Sequence, residues 1–342
     1  MKFLVLTTGG TIASVPSDNG FIPSIAGDAL LKLCPSLSDF GHEIEVRDLF
    51  SKDSSNMNPA DWMTCAQNVR KRIGKFNGFV ILHGTDTLAW TAAALSFLLG
   101  DAAPVVLSGS MISAGGHGSD ADDNVSAALM FALQLAMYKR GGVSVAFAGK
   151  LIHGPKAMKL DTHKKDAFAT VDYPLLGDIK DKGMYKVAWL SSQVPKFADA
   201  LPWPKKPVFE TNIALVPIFP GMRSSALDAI VDTSPRAVVL EAYGSGGVPF
   251  LGDSLLPSIE RGVKLGIPFI LRTQSPFGGT DPALYEVGRK AMDLGAMSAR
   301  DMTREALMVK LMLLLPLFKG KKFKGKNLEE MLMTNFCDDV RE

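Results

Sequence analysis

The chain has 342 residues, 47% of them hydrophobic and 21% charged, which is typical of a globular protein large enough for two domains. Its net charge of +2 gives no reason to expect nucleic acid or a membrane surface as a partner. Three widely spaced cysteines form no metal-binding pattern, and the first residues read as a strand and not as a signal peptide, so we predict a cytoplasmic protein.

Apolar strands and helices alternate along the first half of the chain. Strands are predicted at residues 3–6, 44–49, 78–82, 104–107 and 143–148. Helices are predicted at residues 26–33, 59–76 and 120–139, and one more follows the turn at 83–87 and ends at about residue 99. This alternation predicts an α/β fold with a parallel sheet and helices on both faces. Residues 13–25 are rich in Ser, Pro, Asp and Gly without periodicity, so they predict a mobile loop that acts as a lid.

A proline-rich stretch divides the chain. Four prolines at positions 195, 202, 204 and 207 forbid continuous secondary structure there. Beyond it, strands at residues 213–218, 237–240 and 268–271 alternate with helices near Ala226, Asp253 and Asp281. We therefore predict an N-terminal α/β domain over residues 1–190, a linker over 191–208, and a smaller C-terminal α/β domain over 209–342.

The first predicted strand ends in Thr8-Gly9-Gly10-Thr11. The two glycines allow a sharp turn whose N–H groups can face a bound oxygen, and Thr11 then presents a hydroxyl where open α/β sheets place their ligands. An isolated Thr-Gly-Gly-Thr equally fits a plain tight turn. Its spacing matches neither of the common nucleotide-binding loops, so a phosphate cradle is not indicated.

A second polar turn, His83-Gly84-Thr85-Asp86-Thr87, follows the strand at 78–82. A threonine hydroxyl is a poor nucleophile until a base removes its proton. Asp86 beside Thr85, with Lys159 reaching in from the polar segment 154–162, would form a Thr–Lys–Asp relay. Asp86 also fits a simple cap of the next helix, and His83 fits a hydrogen-bonded turn residue better than a catalyst.

Three motifs in order, at residues 8–12, 53–57 and 83–87, resemble those of the bacterial-type L-asparaginase/glutaminase family. The resemblance covers nearly the whole chain. The motifs at residues 53–57 and 301–306 are similar to those of the cytoplasmic type I branch. The resemblance implies a larger flavodoxin-like N-terminal domain and a smaller Rossmann-like C-terminal domain. It continues through further positions: Gly109, Asp120, Asn124, Lys159, residues 243–246 and residues 301–306.

The resemblance implies the activity and the catalytic residues. The expected reaction is hydrolysis of L-asparagine to L-aspartate and ammonia. Thr11 matches the threonine that is acylated, and Thr85 matches a second threonine that is bound to the lysine matched by Lys159. No metal and no organic cofactor are expected, in keeping with the absence of a ligand pattern in the sequence.

The resemblance also implies how a small zwitterionic amino acid is held. Ser54, with Ser55 beside it, matches the position that binds the substrate α-carboxylate, and Asp86 matches the aspartate that pairs with its α-ammonium group. Thr85 lies in the same substrate site. The glycine-rich loop at 243–249 is expected to reach a neighbouring chain, so we predict a homodimer or homotetramer with active sites near the interface.

Several positions depart from the family pattern. Phe21 stands where many relatives have a lid tyrosine, and Gly247 replaces an asparagine of the loop. Met158 and Ser275 stand where regulated type I enzymes have threonine and cysteine, so regulation by asparagine is not expected. Two alternatives stay open: hydrolysis of glutamine or another small amide, and a weakly catalytic amino-acid-binding homologue. Archaeal tRNA-amidotransferase subunits share the scaffold, but an N-terminal extension is expected of them.

Overall fold

The computed structural model describes residues 1–17, 20–23, 27–179, 187–189, 195–198, 201–318 and 326–341. The chain divides into two compact units. The N-terminal unit comprises Met1–Leu201 with Phe336–Asp338, and the C-terminal unit comprises Pro202–Asn335 with Asp339–Glu342. The division falls inside the segment 191–208 predicted as a linker, of which residues 191–194 and 199–200 lie outside the described part.

The N-terminal unit contains strands and helices in alternation, followed by short strands. Its strands are β1 (Lys2–Gly9), β2 (Ser14–Ser17), β3 (Gly20–Pro23), β4 (Glu43–Lys52), β5 (Gly78–Leu82), β6 (Pro104–Ser108), β7 (Gly142–Phe147), β8 (Lys150–His153), β9 (Ala157–Lys159), β10 (Phe168–Thr170), β11 (Gly177–Ile179) and β12 (Val187–Trp189). Its helices are α1 (Gly27–Leu33), α2 (Ser36–Asp39), α3 (Pro59–Arg70), α4 (Leu88–Leu99) and α5 (Ala121–Met137).

The main sheet has the order β12-β11-β8-β7-β6-β5-β1-β4. The strands from β4 to β7 are parallel, as predicted. The sheet is thus mostly parallel, and β8, β11 and β12, which the sequence did not predict, are joined to it by antiparallel pairing at one edge. Only Ala148 and Gly149 connect β7 to β8, both with positive φ, and a two-residue turn of this kind can only produce a hairpin.

Two expectations for this unit need correction. The predicted lid loop contains a β-hairpin, in which β2 pairs antiparallel with β3; residues 18–19 and 24–25 of the segment lie outside the described part. Helix α3 begins at Pro59 as predicted, with Asn58 and Asp61 forming a capping box, but it ends at Arg70 and not at residue 76. Gly74, at φ +83°, lies in the turn that follows.

The C-terminal unit is a smaller parallel sheet with helices, which confirms the predicted α/β class. Its sheet order is β13-β14-β15-β16, and all three strand pairs are parallel. The strands are β13 (Ile213–Pro217), β14 (Ala237–Ala242), β15 (Phe269–Thr273) and β16 (Met297–Ser298), and the helices are α6 (Ser224–Asp232), α7 (Leu256–Lys264), α8 (Glu286–Asp293), α9 (Arg304–Leu314) and α10 (Leu328–Leu332).

Each unit has its own apolar core. In the N-terminal unit β1 and β5 are buried on both faces, as expected of central parallel strands. In the C-terminal unit Leu240, Phe269 and Leu227 lie in the core between sheet and helices. Within the described ranges, no helix has the length and apolarity needed to cross a membrane.

Candidate active site

The turn after β1 is shaped by two glycines. Gly9 and Gly10 have φ values of +93° and +79°, a backbone conformation that glycine adopts without steric cost. The Gly10 N–H donates to the Lys52 carbonyl oxygen at 2.9 Å, which fixes the turn against the end of β4. Thr11 follows at once and begins a single 3-10 turn, Thr11–Ala13. The predicted turn is therefore present, and it places Thr11 at the carboxyl edge of the sheet.

Three strand ends meet at this edge through Gly84. A Cβ atom on Gly10 would lie 2.2 Å from Gly84 Cα, and a Cβ on Gly84 would lie 2.6 Å from Ser54 Oγ. Both positions must therefore be glycine for the turns to approach this closely. The structure thus brings together the turns that carry Thr11, Ser54 and Thr85, although about 30 to 40 residues separate each from the next in the sequence.

Lys159 and the Thr85 turn form the hydrogen-bonded centre of the site. Lys159 Nζ lies 2.9 Å from Thr85 Oγ1 and 2.6 Å from Asp86 Oδ1. Thr85 is buried, the Lys159 side chain is 15% exposed, and the Asp86 side chain is 63% exposed. Because Lys159 donates to the Thr85 oxygen, the Thr85 hydroxyl proton is free to point elsewhere. Asp86 keeps an open carboxylate at the rim of the site.

The two serines of the 53–57 motif have different surroundings. Ser54 is buried, and its carbonyl oxygen accepts a hydrogen bond from Thr87 Oγ1 at 2.7 Å. Ser55 is exposed, and both its N–H and its hydroxyl donate to Asp53 Oδ1, at 2.8 and 2.5 Å. Ser54 therefore lies against Gly84, while the Ser55 side chain is engaged within its own turn.

His83 is a buried turn residue, as the sequence suggested. Burial lowers its pKa to about 4, so the ring is neutral. Nε2 lies 2.9 Å from Thr91 Oγ1, which itself accepts from Trp62 Nε1 at 3.2 Å. Thr91 must then donate to Nε2, and Nδ1–H donates to the Gly84 carbonyl oxygen at 2.7 Å. The neutral ring thereby holds the Gly84 backbone that separates Gly10 from Ser54.

The loop after β6 is held by Asp120 and Asn124, two residues at the start of α5 whose position in the sequence would fit helix capping. The Asp120 carboxylate makes no cap of α5; it accepts from the N–H groups of Met111 and Ile112 at 3.0–3.1 Å. Asn124 Nδ2 donates to Gly109 O at 3.0 Å. The same loop reaches the Thr11 turn, since the Ala114 N–H donates to Ile12 O at 3.1 Å.

Other supporting groups had no signal in the sequence. Ser14 Oγ donates to Gly10 O at 2.9 Å, and Thr8 Oγ1 donates to Leu82 O at 3.0 Å. These are side-chain contacts to backbone oxygens, and no spacing of residue types predicts them. The Phe21 side chain, which the sequence singled out, lies outside the described part. Across the ranges that are described, no three His, Cys, Asp or Glu side chains come together as a metal site.

Comparison with known proteins agrees with this geometry. Residues 2–192 match the family described as "Asparaginase, N-terminal", and residues 212–324 match the "Glutaminase/Asparaginase C-terminal domain". The chain is 36% identical over 315 residues to the L-asparaginase of Thermococcus kodakarensis, covering 91% of this chain and 92% of that protein. It is 32% identical to a glutamyl-tRNA(Gln) amidotransferase subunit of Pyrococcus furiosus, covering 98% of this chain and 76% of that protein. The solved structure of the T. kodakarensis L-asparaginase has a TM-score of 0.87 at 33% identity, with full coverage of both chains.

Proposed function

The chain belongs to the asparaginase family, and on that premise we propose that it hydrolyses L-asparagine to L-aspartate and ammonia. The observation that carries the proposal is the contact of Lys159 with both Thr85 and Asp86, at 2.9 and 2.6 Å, beside the glycine contact that brings the Thr11 turn against the Thr85 turn. Hydroxyls, one lysine and one open carboxylate are the groups that an amide hydrolase for a small zwitterion needs.

Thr11 is the nucleophile of the proposed mechanism. Its Oγ attacks the side-chain amide carbon, the C–N bond breaks, and the hydroxyl proton leaves with the ammonia. This gives an ester between Thr11 and the aspartyl group. Water then attacks the ester carbon and the ester C–O bond breaks. One proton of the water returns to the Thr11 oxygen, and the other is released to solvent as aspartate leaves as its carboxylate. N–H groups of the turns after β1 and β5 are the donors for the oxyanion in both steps.

Thr85 and Lys159 hold and move the proton. Thr85 already accepts a hydrogen bond from Lys159, so its own proton is directed away from the lysine. In the reaction the Thr85 oxygen takes the proton of the nucleophile or the water, and its own proton passes to Lys159 Nζ, 2.9 Å away. The remaining catalytic residue, Asp86, pairs with Lys159 and anchors this relay.

The substrate's charged groups are held by the same turns. Asp86, largely exposed, pairs with the α-ammonium group, and Ser54 with its neighbour Ser55 binds the α-carboxylate. The burial of Ser54 against Gly84 favours Ser54 as the inner contact. The substrate is therefore a small molecule with both groups free, and no nucleic acid or membrane takes part.

We further propose a homodimer or homotetramer with active sites near the interface, located in the cytoplasm. In the C-terminal unit, loops after the parallel strands carry large apolar side chains that are 50–77% exposed: Phe219, Leu251, Phe277, Leu284 and Tyr285. These are the side chains on the loops of this sheet edge that such an interface would bury. Cys34 and Cys65 are buried thiols that form no disulfide, which supports a reducing compartment.

A screen of ammonia release from L-asparagine, L-glutamine and small amides tests the proposal, with equilibrium binding of L-aspartate measured in parallel. Release from asparagine at a rate typical of enzymes supports it. Preferential release from glutamine or another amide would support the second substrate class, which the Phe21 and Gly247 departures favour. Tight aspartate binding without release from any amide would overturn the enzymatic proposal and leave a binding protein.

A further inference from the structure

A cluster of one carboxylate and two arginines lies at the carboxyl end of the C-terminal sheet, with Glu241 and Arg272 buried and the Arg304 side chain 40% exposed. Glu241 is the second-last residue of β14, is 3% exposed, and lies directly opposite Arg272 of β15. Its Oε1 accepts from Arg272 Nη1 at 2.9 Å and from Arg304 Nε at 2.7 Å. Its Oε2 accepts from Arg304 Nη2 at 2.9 Å. Arg304 therefore holds the carboxylate with both arms of its guanidinium, a geometry that fixes direction as well as distance.

The backbone of the same residue is also held. Gln274 Nε2 donates to the carbonyl oxygens of Glu241 and Ile218 at 2.7 and 2.6 Å, and the Gln274 N–H donates to Ala242 O at 3.0 Å. The ends of β13, β14 and β15 are thus tied together at the point where the chain leaves β14. We call Glu241, Arg272, Gln274 and Arg304 the clasp.

Stability alone does not explain the clasp. A buried ion pair is commonly no more stabilising than apolar side chains of similar volume. Arg304 is the first residue of α9, where the helix dipole disfavours a cation. Arg272 Nε and Glu305 Oε2 are buried and find no hydrogen-bond partner within the described ranges. Because these features cost stability, we expect the clasp to have another role, which is to fix the direction in which the chain leaves β14.

The segment that the clasp directs is the loop at 243–249. Tyr243 comes two residues after Glu241 and closes a compact turn with Gly247, through hydrogen bonds of 3.1 and 2.7 Å between their backbones. Gly244 and Gly246 have φ values of +49° and +120°, so the loop's own residues restrict it little. At its far side the Val248 N–H donates to Val287 O at 3.1 Å. The direction of the turn is therefore set by the contacts on either side of it: the clasp before Tyr243 and the Val248–Val287 hydrogen bond after it.

We propose that Glu241 and Arg304 are positioning residues that aim the 243–249 loop at the active site of a neighbouring subunit. The inference rests on the proposed function, that of an oligomer with active sites near the interface, and adds that the 243–249 loop of one chain reaches the Thr11 site of the next. Disturbing the clasp should weaken substrate binding in the neighbour while leaving Thr11, Thr85 and Lys159 in place. The effect should therefore appear mainly in KM and only slightly in kcat.

The first test compares Arg304→Met with Arg304→Lys and with Arg261→Met. Arg304→Lys keeps the charge and loses the contact through two guanidinium nitrogens, whereas Arg261 forms exposed ion pairs with Asp228 and Asp232 in the same unit. We expect Arg304→Met to raise KM for asparagine about tenfold with kcat within about threefold, Arg304→Lys to lie between, and Arg261→Met to match wild type. A folded Arg304→Met protein with unchanged KM overturns the inference; Glu241→Gln provides a second variant if it fails to fold.

A mixed-subunit experiment separates positioning from a local structural effect. Chains with Thr11→Val and chains with Arg304→Met are co-expressed with different tags, and the mixed oligomer is purified. One of its sites combines an intact Thr11 with an intact loop, so a component with wild-type KM should appear that neither parent shows. Absence of that component overturns the inference. A wild-type chain that releases no ammonia, or that is fully active as a monomer, refutes the proposed function instead, and this is measured first.

Discussion

The two units use the same edge of a parallel sheet in different ways. In the N-terminal unit β1 and β5 end in tight turns, where Gly10 and Gly84 let hydroxyl-bearing residues approach closely. The charged pair beside these turns is Lys159 with the exposed Asp86. In the C-terminal unit the last residues of β14 and β15 carry the buried charges of Glu241 and Arg272, and loops with exposed apolar side chains follow.

The difference follows from what each edge has to do. A reaction that moves protons needs groups whose protonation can change, and neutral hydroxyls beside one lysine meet that need. A carboxylate that accepts hydrogen bonds from two guanidinium groups, such as Glu241, instead holds its partners in a fixed geometry. The N-terminal edge is therefore suited to chemistry and the C-terminal edge to positioning. Substitutions at the first edge should lower kcat, and substitutions at the second should change KM.

Removing either hydroxyl should have the largest effect. Val is nearly isosteric with Thr, so Thr11→Val and Thr85→Val should keep the fold while lowering kcat for asparagine on the order of a thousandfold or more. Ammonia release under saturating asparagine measures the loss, and thermal unfolding checks the fold. Thr64→Val, on the outer side of α3, is the matched control and should keep wild-type activity. Near-wild-type release by both site variants would show that the chemistry is elsewhere.

The close approach of Gly10 and Gly84 can be tested by comparison with an uncrowded glycine. Gly10→Ala places a Cβ 2.2 Å from Gly84 Cα, whereas Gly41→Ala, at φ +73°, meets no atom within 4 Å. Gly41→Ala should therefore cost only about 1–2 kcal/mol for the left-handed backbone. Gly10, with φ +79° and ψ −172°, has a backbone conformation that glycine almost alone adopts, so Gly10→Ala should cost more than this in strain and about 1–3 kcal/mol further in crowding, with at least roughly a hundredfold loss of activity. Equal behaviour of the two variants in urea unfolding and in ammonia release would contradict this packing of the two turns.

The sequence predicted the elements whose signal is local. The apolar runs of β1 and β5 and the glycines after β1 were visible because burial and turn formation depend on residues a few positions apart. The strands β8 to β12 were not, since three or four residues show no period and their pairing is set by partners far along the chain. The lid hairpin was missed because its strands are equally short.

The candidate site shows the same limit. The residue types alone grouped Thr85, Asp86 and Lys159, and the structure brings them within hydrogen-bonding distance. The contact of Gly84 with Ser54 depends on how separate strand ends approach, which residue types do not specify. Asp120 was indistinguishable from an ordinary helix cap, because any aspartate before a helix gives that signal, yet its carboxylate accepts from backbone N–H groups of the loop after β6.

The neutral state of His83 predicts a pH effect on stability in the N-terminal unit. Burial lowers its pKa from 6.5 to about 4, so between these values the unfolded chain binds more protons than the folded one. Neutral His83 therefore contributes to the free energy of unfolding in full above pH 6.5, and this contribution, about 3 kcal/mol, is lost as the pH falls towards 4. In urea unfolding at about pH 7 and about pH 4.5, His83→Asn should lose less stability on acidification than wild type. The exposed His163→Asn should follow wild type, and a His83→Asn protein that also follows it would contradict the assignment.

Gly247→Asn should have the smallest effect, and it tests whether the loops at the C-terminal sheet edge contribute to substrate binding. A Cβ at Gly247 would lie 3.0 Å from Val287 Cγ2, the end of a partly exposed side chain that can shift, and the backbone is not left-handed there. The free energy of unfolding should therefore change by less than about 1 kcal/mol. If the 243–249 loop reaches a neighbour's substrate, the added amide should lower KM for asparagine several-fold, with little change in kcat.

Gly244→Asn is the control, because its φ of +49° suits asparagine and nothing lies within 4 Å of its Cβ. A change in KM at 247 but not at 244 assigns the effect to a contact made at that position, whereas equal changes would mean that asparagine merely stiffens the loop. No change at either position, in an oligomer that hydrolyses asparagine, would show that the loop does not meet the substrate.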